Sequence, residues 1–255
     1  MSTVTSKDGT RIAYEKAGSG PALVLVDGAM CYREFGPARD VLKALQDEYT
    51  VYIYDRRGRG ESGDTLPYNA DREIDDLAAV IAATGGEAYV MGQSSGAALA
   101  LLAAARGVPM KKLASYEAPY VGQKHDYLPR LKTLIAEGSR KKAIGYFMVD
   151  MVGGPWFLPL MMRMMPKIWK KLQAVAHTLP YDAEVLDGFA VPTKTLAKIT
   201  APTLVMGGSK YAPNMKAAVE GVAAAVPGST VVILPGQTHQ VSPAVLVPEL
   251  KAFFR

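Results

Sequence analysis

One five-residue segment, GQSSG at positions 92–96, constrains the fold of this chain more than any other. An apolar run, AYVM at 88–91, precedes it, and a stretch rich in Ala and Leu follows it. This order is typical of a strand, a sharp turn that presents a serine, and a helix. The two glycines would let strand and helix approach closely around a residue with positive φ. The pattern predicts Ser94 as a nucleophile; the simpler alternative is a Gly/Ser turn that begins a helix.

Strand-like and helix-like segments alternate along most of the 255 residues. This alternation predicts an α/β fold with a mostly parallel, doubly wound sheet that helices cover on both faces. TRIAY at 10–14 is expected to form an edge strand, and Asn69 or Asp71 to cap a helix. Further strands are expected at 22–26, 50–54, 88–91, 113–116, 203–206 and 230–234, and further helices near 37–46, after the GQSSG segment, at 213–225 and at the C-terminus.

Between 122 and 196 the alternation disappears. Helix-forming segments here carry both tryptophans and six of the twelve methionines. We therefore expect a helical insertion at 122–196 between two parts of one core domain, 1–121 and 197–255. Residues 122–199 hold twelve basic and six acidic side chains. Without a motif that reads bases, this excess does not predict nucleic-acid binding. A solvated helix surface is the simplest interpretation, and attraction to anionic substrates or a membrane surface is the alternative.

His239 is the histidine best placed to act as a base. It lies in PGQTHQ at 235–240, directly after the last expected strand. Open α/β sheets place their ligands at the carboxyl ends of such strands. His125 and His177 lie in the insertion, where either could line a pocket or serve in packing. The three histidines and the single cysteine, Cys31, lack metal-ligand spacing, so neither a bound metal nor an intrachain disulfide is expected.

Three further segments resemble the α/β-hydrolase family, and the resemblance extends over essentially the whole chain. VDGA at 26–29 lies where that family usually has His-Gly before its oxyanion loop. DRRGRGES at 55–62 resembles its D-x-R-G-x-G-x-S turn, and GQTH at 236–239 its histidine loop. The resemblance implies that the insertion is a helical cap over the active site. It also implies that the backbone N–H groups of Ala29 and Ser95 hold the oxyanion.

The chain departs from the family's pattern at Asp27, which replaces the usual histidine. An acceptor at this position places negative charge beside a loop that should favour anions. We expect a salt bridge from Asp27 to Arg56 or Arg57 to neutralise it.

A second departure concerns the acid of the expected Ser–His–acid triad. GGSK at 207–210, just after an expected strand, offers no carboxylate. Some family members carry the acid at the end of the strand that follows the helix after the serine turn, and Glu117 has that position here. We predict that Glu117 orients the imidazole of His239. Alternatively Glu117 is an ion-paired residue at a strand end, and Asp182 and Asp187 are weaker rivals for the role.

The substrate pocket is expected to include Cys31, Trp156, Met161 and His177. Methionine and aromatic side chains adapt to irregular apolar ligands, although the same residues could pack the cap against the core. GRGESG at 58–63 matches the G-x-G-x-x-G pattern of dinucleotide-binding proteins. The loop-like DTLP that follows argues against that interpretation, which requires an opening helix.

These features predict a serine hydrolase that needs no cofactor and cleaves a carboxylic ester, a lactone or a related acyl compound through an acyl-enzyme on Ser94. The same residues could support acyl transfer, perhydrolysis or C–C bond hydrolysis, and a non-catalytic receptor for a small ligand is the alternative from another class. The expected partner is a small apolar acyl molecule. A polar N-terminus and the lack of a long apolar segment predict a cytoplasmic protein without stable membrane insertion. The oligomeric state stays open.

Overall fold

Residues 2–122 and 126–255 are described by the computed structural model of the chain, and His125 lies outside them. Within these residues the strands form one eight-stranded sheet of order β1-β2-β4-β3-β5-β6-β7-β8. The strands are β1 (Ser2–Thr5), β2 (Arg11–Ala17), β3 (Ala22–Val26), β4 (Thr50–Tyr54), β5 (Ala88–Gln93), β6 (Met110–Tyr116), β7 (Thr203–Gly208) and β8 (Thr230–Leu234).

The sheet is parallel from β4 through β8 and antiparallel at its β1–β2–β4 end. The predicted mostly parallel α/β fold is thereby confirmed. The prediction of an edge strand at 10–14 is wrong, because β2 lies between β1 and β4. The edge strand at this end of the sheet is β1, whose sequence STVT is largely exposed. A short polar strand has no buried face to impose an apolar pattern, so its sequence gave no strand signal.

Helices cover both faces of the sheet. The α-helices are α1 (Ala38–Leu45), α2 (Ala70–Ala82), α3 (Ser95–Ala105), α4 (Leu128–Ala136), α5 (Arg140–Tyr146), α6 (Leu158–Arg163), α7 (Pro166–Val175), α8 (Leu179–Leu186), α9 (Thr193–Leu196), α10 (Pro213–Ala225) and α11 (Pro243–Phe254). Side chains from α2, α3 and α10 share one apolar core with one face of the sheet. Side chains from α1 and α11 share a second core with the opposite face.

Two of these helices illustrate how the sequence determines burial. Asn69 caps α2, accepting a hydrogen bond from the Asp71 N–H at 2.7 Å. The apolar residues of α2 recur at helical spacing, and Ile74 and Leu77 are buried against the sheet. The sequence of α3, SGAALALLAAA, is apolar on every side. Such a helix is stable only when it is enclosed, and α3 packs against β5, β6, α2 and α8.

Helices α4 to α9 form a continuous helical insertion between β6 and β7. A short π-helical turn, Phe147–Met151, follows α5. The insertion has its own apolar cluster, which includes Leu131, Ile144, Trp169 and Leu179, and Met30 of the core domain joins it. In the described part of the chain, no helix is long and apolar enough to cross a membrane.

Close backbone packing at Gly96 leads to a prediction about stability. A β-carbon at this position would overlap the Val26 carbonyl oxygen and lie 2.5 Å from that of Asp27. We expect Gly96→Ala to lower the free energy of unfolding by about 3 kcal/mol, because backbone atoms must shift.

Gly145 in α5 is a matched helical control, with nothing within 4 Å of the added β-carbon. Gly145→Ala should raise the free energy of unfolding by about 0.5–1 kcal/mol through helix propensity. Urea titrations of both variants measure the difference. Equal stability of the two variants would contradict the close approach at Gly96.

Candidate active site

Ser94 occupies the sharp turn between β5 and α3. Its φ of 57° and ψ of −130° lie in a region that side-chain-bearing residues rarely adopt. The Ser94 N–H donates to the Tyr116 carbonyl at 3.0 Å, which ties the turn to β6. Glycines surround the turn: a β-carbon on Gly92 would lie 2.6 Å from Ala97 Cα, and one on Gly28 would lie 2.9 Å from Ser94 Cβ. The strained backbone is therefore held by packing that only glycine permits.

Glu117 and His239 are in direct contact. The distance from Glu117 Oε2 to His239 Nδ1 is 2.7 Å. Glu117 follows β6 with φ of 47°, and its side chain is fully buried. Its other oxygen, Oε1, accepts the Gly208 N–H at 2.8 Å. Because both carboxylate oxygens have a partner, Glu117 holds the imidazole in one orientation and leaves Nε2 as the free ring nitrogen.

Two further hydrogen bonds anchor the loop that carries His239. The Tyr116 hydroxyl donates to the Thr238 carbonyl at 2.5 Å, and Gln93 Nε2 donates to the His239 carbonyl at 3.0 Å. These donors come from the last residues of the paired strands β5 and β6. GGSK at 207–210, at the end of β7, has no carboxylate, and its Gly208 N–H instead donates to Glu117. A β-carbon on Gly208 would overlap the Gln237 carbonyl oxygen.

Two backbone N–H groups near Ser94 have no acceptor among the described residues. Among the hydrogen bonds of residues 2–122 and 126–255, neither the Ala29 N–H nor the Ser95 N–H donates to a protein atom. Both residues line the same cavity as Ser94 and His239. Parallel pairing places Val26 opposite Gly92, which brings the loop after β3 beside the turn at Ser94. Two unpaired donors beside a nucleophile are what stabilisation of an oxyanion requires.

A cavity of about 340 Å³ opens above these groups. Its wall is largely apolar and combines the core domain with the helical insertion. The side chains that line it, besides those already described, include Pro119, Val121, Phe147, Met151, Val152, Asp182, Leu186, Phe189, Lys210, Tyr211, Asn214 and Met215. The volume suits a small molecule.

The four expected pocket residues do not line this cavity. The side chains of Trp156 and Met161 point largely to solvent, with 78% and 48% of their surfaces exposed. Trp156 precedes the short helix α6 and Met161 belongs to it; the buried residue of this helix is Pro159. The Met/Trp composition suggested pocket residues, but the Trp156 ring packs edge-on against the neighbouring Phe157, with 6.0 Å between the ring centroids, and does not line the cavity.

Cys31 and His177 serve elsewhere. Burial raises the pKa of the Cys31 thiol to about 12, so it stays protonated and cannot act as a thiolate. His177 Nε2 lies 3.7 Å from Asp64 Oδ2. Burial and the nearby Arg140 lower the pKa of His177 below its ordinary value. Lys210, on the cavity wall, was missed by the sequence analysis, although its position directly after a buried strand is a signal for the ligand edge.

The sequence model of the alpha/beta hydrolase family matches residues 20–249 of this chain. The chain belongs to the alpha/beta hydrolase family. It is similar to an alpha/beta hydrolase of solved structure from Sphaerobacter thermophilus, with 46% identity, complete coverage of both chains and a TM-score of 0.92. Family membership supports hydrolytic chemistry at this site.

Two further relatives show how the similarity extends. The enol-lactonase from Burkholderia xenovorans shares the fold, with 21% identity, coverage of 99% of this chain and 96% of that one, and a TM-score of 0.70. The N-formylmaleamate deformylase of Pseudomonas putida is 32% identical over 154 residues. That match covers 57% of this chain and 56% of the deformylase, so it spans little more than half of either protein.

Asp27, which replaces the family's usual histidine, makes no salt bridge to Arg56 or Arg57. That expectation is wrong, because both arginines pair with other carboxylates: Arg56 with Glu73 and Asp182, and Arg57 with Asp76 and Asp8. Burial raises the pKa of Asp27 to about 7, and the charge of Arg59 and the Ala38 N–H offset this only in part. Asp27 therefore carries a proton over part of the acidic pH range instead of an ion pair.

The raised pKa of Asp27 predicts a pH-dependent effect on stability. Between the ordinary value of 3.8 and about 7, the carboxyl is ionised in the unfolded chain but protonated in the fold, so stability falls as pH rises. Asp27→Asn removes this titration. We expect the melting temperature of the variant relative to wild type to increase by about 5 °C between pH 4.5 and pH 8. Calorimetry at both pH values tests this, and a pH-independent difference would contradict it.

Proposed function

We propose that this chain is a serine hydrolase that cleaves a small carboxylic ester, lactone or related acyl substrate without a cofactor. The observation that carries the proposal is the contact of Glu117 with His239 in a cavity that also contains Ser94. A serine hydroxyl needs a base to remove its proton as it attacks. A histidine that serves as this base needs an acceptor that orients its other ring nitrogen. The two unpaired backbone donors beside Ser94 complete this set.

The reaction follows from these positions. Ser94 Oγ attacks the substrate carbonyl while His239 Nε2 takes the hydroxyl proton, and Glu117 stabilises the resulting imidazolium. Negative charge develops on the carbonyl oxygen, where the N–H groups of Ala29 and Ser95 are the proposed donors. His239 then delivers its proton to the leaving group, which departs and leaves an acyl-enzyme. Water, activated by the same imidazole, releases the acid and restores Ser94.

The helical insertion is proposed as the cap of this site, formed within residues 122–196 of a chain whose core is 1–121 and 197–255. Phe147, Val152 and Phe189 belong to it and line the cavity. Their apolar surface would contact the remote part of a bound substrate and exclude water from the reacting carbonyl. The named activities of the relatives, opening of an enol-lactone and removal of a formyl group from N-formylmaleamate, are both acyl cleavages of small molecules.

Substitution of the nucleophile gives the first test of this function. We expect Ser94→Ala to lower kcat for nitrophenyl esters at least ~10³-fold, because the reacting hydroxyl is lost. The melting temperature should stay the same or rise, since alanine retains the packing. A fluorophosphonate should label the wild-type protein at Ser94. A wild-type protein that is neither labelled nor active on esters or lactones would be a binding protein on a hydrolase scaffold.

Glu117→Gln tests the orienting carboxylate. The amide can still accept the Gly208 N–H, so the fold should survive. It cannot stabilise imidazolium, and kcat should fall by about 10³–10⁴-fold with KM changed only a few-fold. Asp187→Asn changes another acid near the cavity, one that makes no hydrogen bond or ion pair to Ser94, Glu117 or His239 among the described residues, and this control should retain activity. A Glu117→Gln variant with wild-type kcat would remove Glu117 from the mechanism.

Lys210 is proposed to favour substrates that carry a carboxylate. Within the described wall of the cavity its ammonium has no ion-pair partner, whereas Glu117 and Asp182 are both paired. We expect Lys210→Met to lower kcat/KM for a succinate monoester about fivefold and to leave that for a butyrate ester unchanged. Lys216→Met, in the neighbouring helix and paired with Glu220, is the control. Equal losses on the two esters would indicate a role in packing.

A further inference from the structure

Asp182 connects the helical insertion to the site described above. It lies in α8, and its side chain is completely buried. Oδ1 accepts hydrogen bonds from Arg56 Nη1 at 2.8 Å, from Arg59 Nη2 at 2.9 Å and from Ser95 Oγ at 2.8 Å. Oδ2 accepts a further bond from Arg59 Nη2 at 2.8 Å. Burial alone would raise the pKa of Asp182, but Arg59 and Arg56 outweigh it and hold the pKa below its ordinary value.

The two arginines continue from Asp182 to the loop after β3. Arg59 Nη1 donates to the Gly28 carbonyl at 2.7 Å and to the Cys31 carbonyl at 3.3 Å. Arg56 Nη1 donates to the Asp27 carbonyl at 3.4 Å. These carbonyls flank Ala29 on both sides. The orientation of the Ala29 N–H is thus determined by peptide planes that the guanidinium groups hold.

The second proposed oxyanion donor depends on the same carboxylate. The Ser95 hydroxyl donates to Asp182 and accepts from Arg56 Nη1 at 3.2 Å. Ser95 is the first residue of α3, and its N–H is the donor next to the nucleophile. Asp182 is therefore bonded to the side chain of one donor residue and, through Arg59, to the loop that carries the other.

From this arrangement we infer that Asp182 is a positioning residue that sets the direction of both oxyanion donors from within the insertion. The inference rests on the proposed hydrolase function. A hydrogen bond to the developing oxyanion weakens steeply when its donor is misdirected, and small displacements at a reacting centre have large effects on rate. Because both oxygens of the Asp182 carboxylate accept hydrogen bonds, its network limits displacement of the Ala29 and Ser95 N–H groups.

The same segment provides a matched control for a purely structural role. Arg57, between the two arginines of the cluster, makes a buried ion pair with Asp76 at 2.7 and 2.6 Å. Arg57 also donates to Asp8 and to the Arg72 carbonyl, and neither residue belongs to the turn at Ser94 or to the loop after β3. Asp76→Asn therefore neutralises a buried, arginine-paired aspartate without touching either donor.

The experiment compares Asp182→Asn with Asp76→Asn. We expect Asp182→Asn to lower kcat about 10- to 100-fold with KM within about threefold, and to weaken binding of phenylboronic acid, a tetrahedral adduct former at Ser94, by the same factor as kcat. Asp76→Asn should lower the melting temperature without changing kcat or boronate affinity. Ser95→Ala removes only the hydroxyl contact to Asp182, so a loss in kcat of about 3- to 10-fold is expected with little change in melting temperature.

A second readout does not depend on turnover. Amide hydrogen exchange of the peptide covering residues 27–33, followed by mass spectrometry, should become faster in Asp182→Asn and stay unchanged in Asp76→Asn. Wild-type kcat and unchanged exchange in Asp182→Asn would overturn the inference. If Asp182→Asn fails to fold, Ser95→Ala decides: unchanged kcat and boronate affinity there would also overturn it. A wild-type protein without turnover or Ser94 labelling would refute the hydrolase function, and faster exchange at 27–33 would still show that Asp182 holds the loop.

Discussion

The left-handed backbone of Ser94 is the constraint on which the site depends. A serine holds this conformation only where surrounding atoms leave no room for relaxation. Here β5 and α3 meet at Gly92 and Gly96, while the loop after β3 approaches so closely at Gly28 that no β-carbon fits. The same close approach places Ala29 and Ser95, the two proposed oxyanion donors, on the wall of the cavity that Ser94 also lines. The strain at the turn and the supply of backbone donors are therefore two results of one packing arrangement.

Parallel pairing converts this local arrangement into a site that distant segments share. Gln93 lies opposite Tyr116, Tyr116 opposite Met206, and Gly208 opposite Leu234, so four strands end together at one edge of the sheet. Residues at the ends of these four strands therefore lie close to one another, although they are far apart in the sequence. This geometry explains why Glu117 reaches a histidine 122 residues away and why Gly208 can supply the N–H that fixes it.

Much of this could be predicted from the sequence, because the signals were local or followed from strand order. The GQSSG turn predicted the strand and helix around Ser94. Because Ser94, Glu117 and His239 each come after a strand of a parallel sheet, the sequence also predicted that they would lie at one edge of it. The family and the mostly parallel sheet are confirmed. The residues expected to line the substrate pocket, in contrast, do not line the cavity. Trp156 and Met161 have the composition of pocket residues, and only tertiary structure shows that they face solvent.

The ion pairs of Arg56, Arg57 and Arg59 also could not be predicted from the sequence. The segment DRRGRG at 55–60 gave a glycine-rich match to a dinucleotide fingerprint and an expected bridge to Asp27. In the fold Arg57 pairs with Asp76 and Asp8, whereas Arg56 and Arg59 share Asp182. Gly60 has φ of 53°, and Asp55 is packed where its β-carbon would be. Gly58 and Gly60 make a tight turn, and the three arginine side chains of this turn are buried in the protein. Which acid each one meets depends on α2 and on the insertion, which no local pattern reveals.

The pairing of Arg59 has a consequence for how proteins of this kind diversify. Its ion-pair partner in the described chain is Asp182, and the two side chains come from opposite sides of the boundary between core and insertion. An insertion taken from a relative without a carboxylate at this position would leave a buried guanidinium without its counter-charge, at a cost of several kcal/mol. Recombination that exchanges substrate preference by exchanging insertions must therefore conserve this residue or replace Arg59 together with it. Arg59 and Asp182 are therefore expected to change together in evolution, although one belongs to the core and the other to the helical insertion.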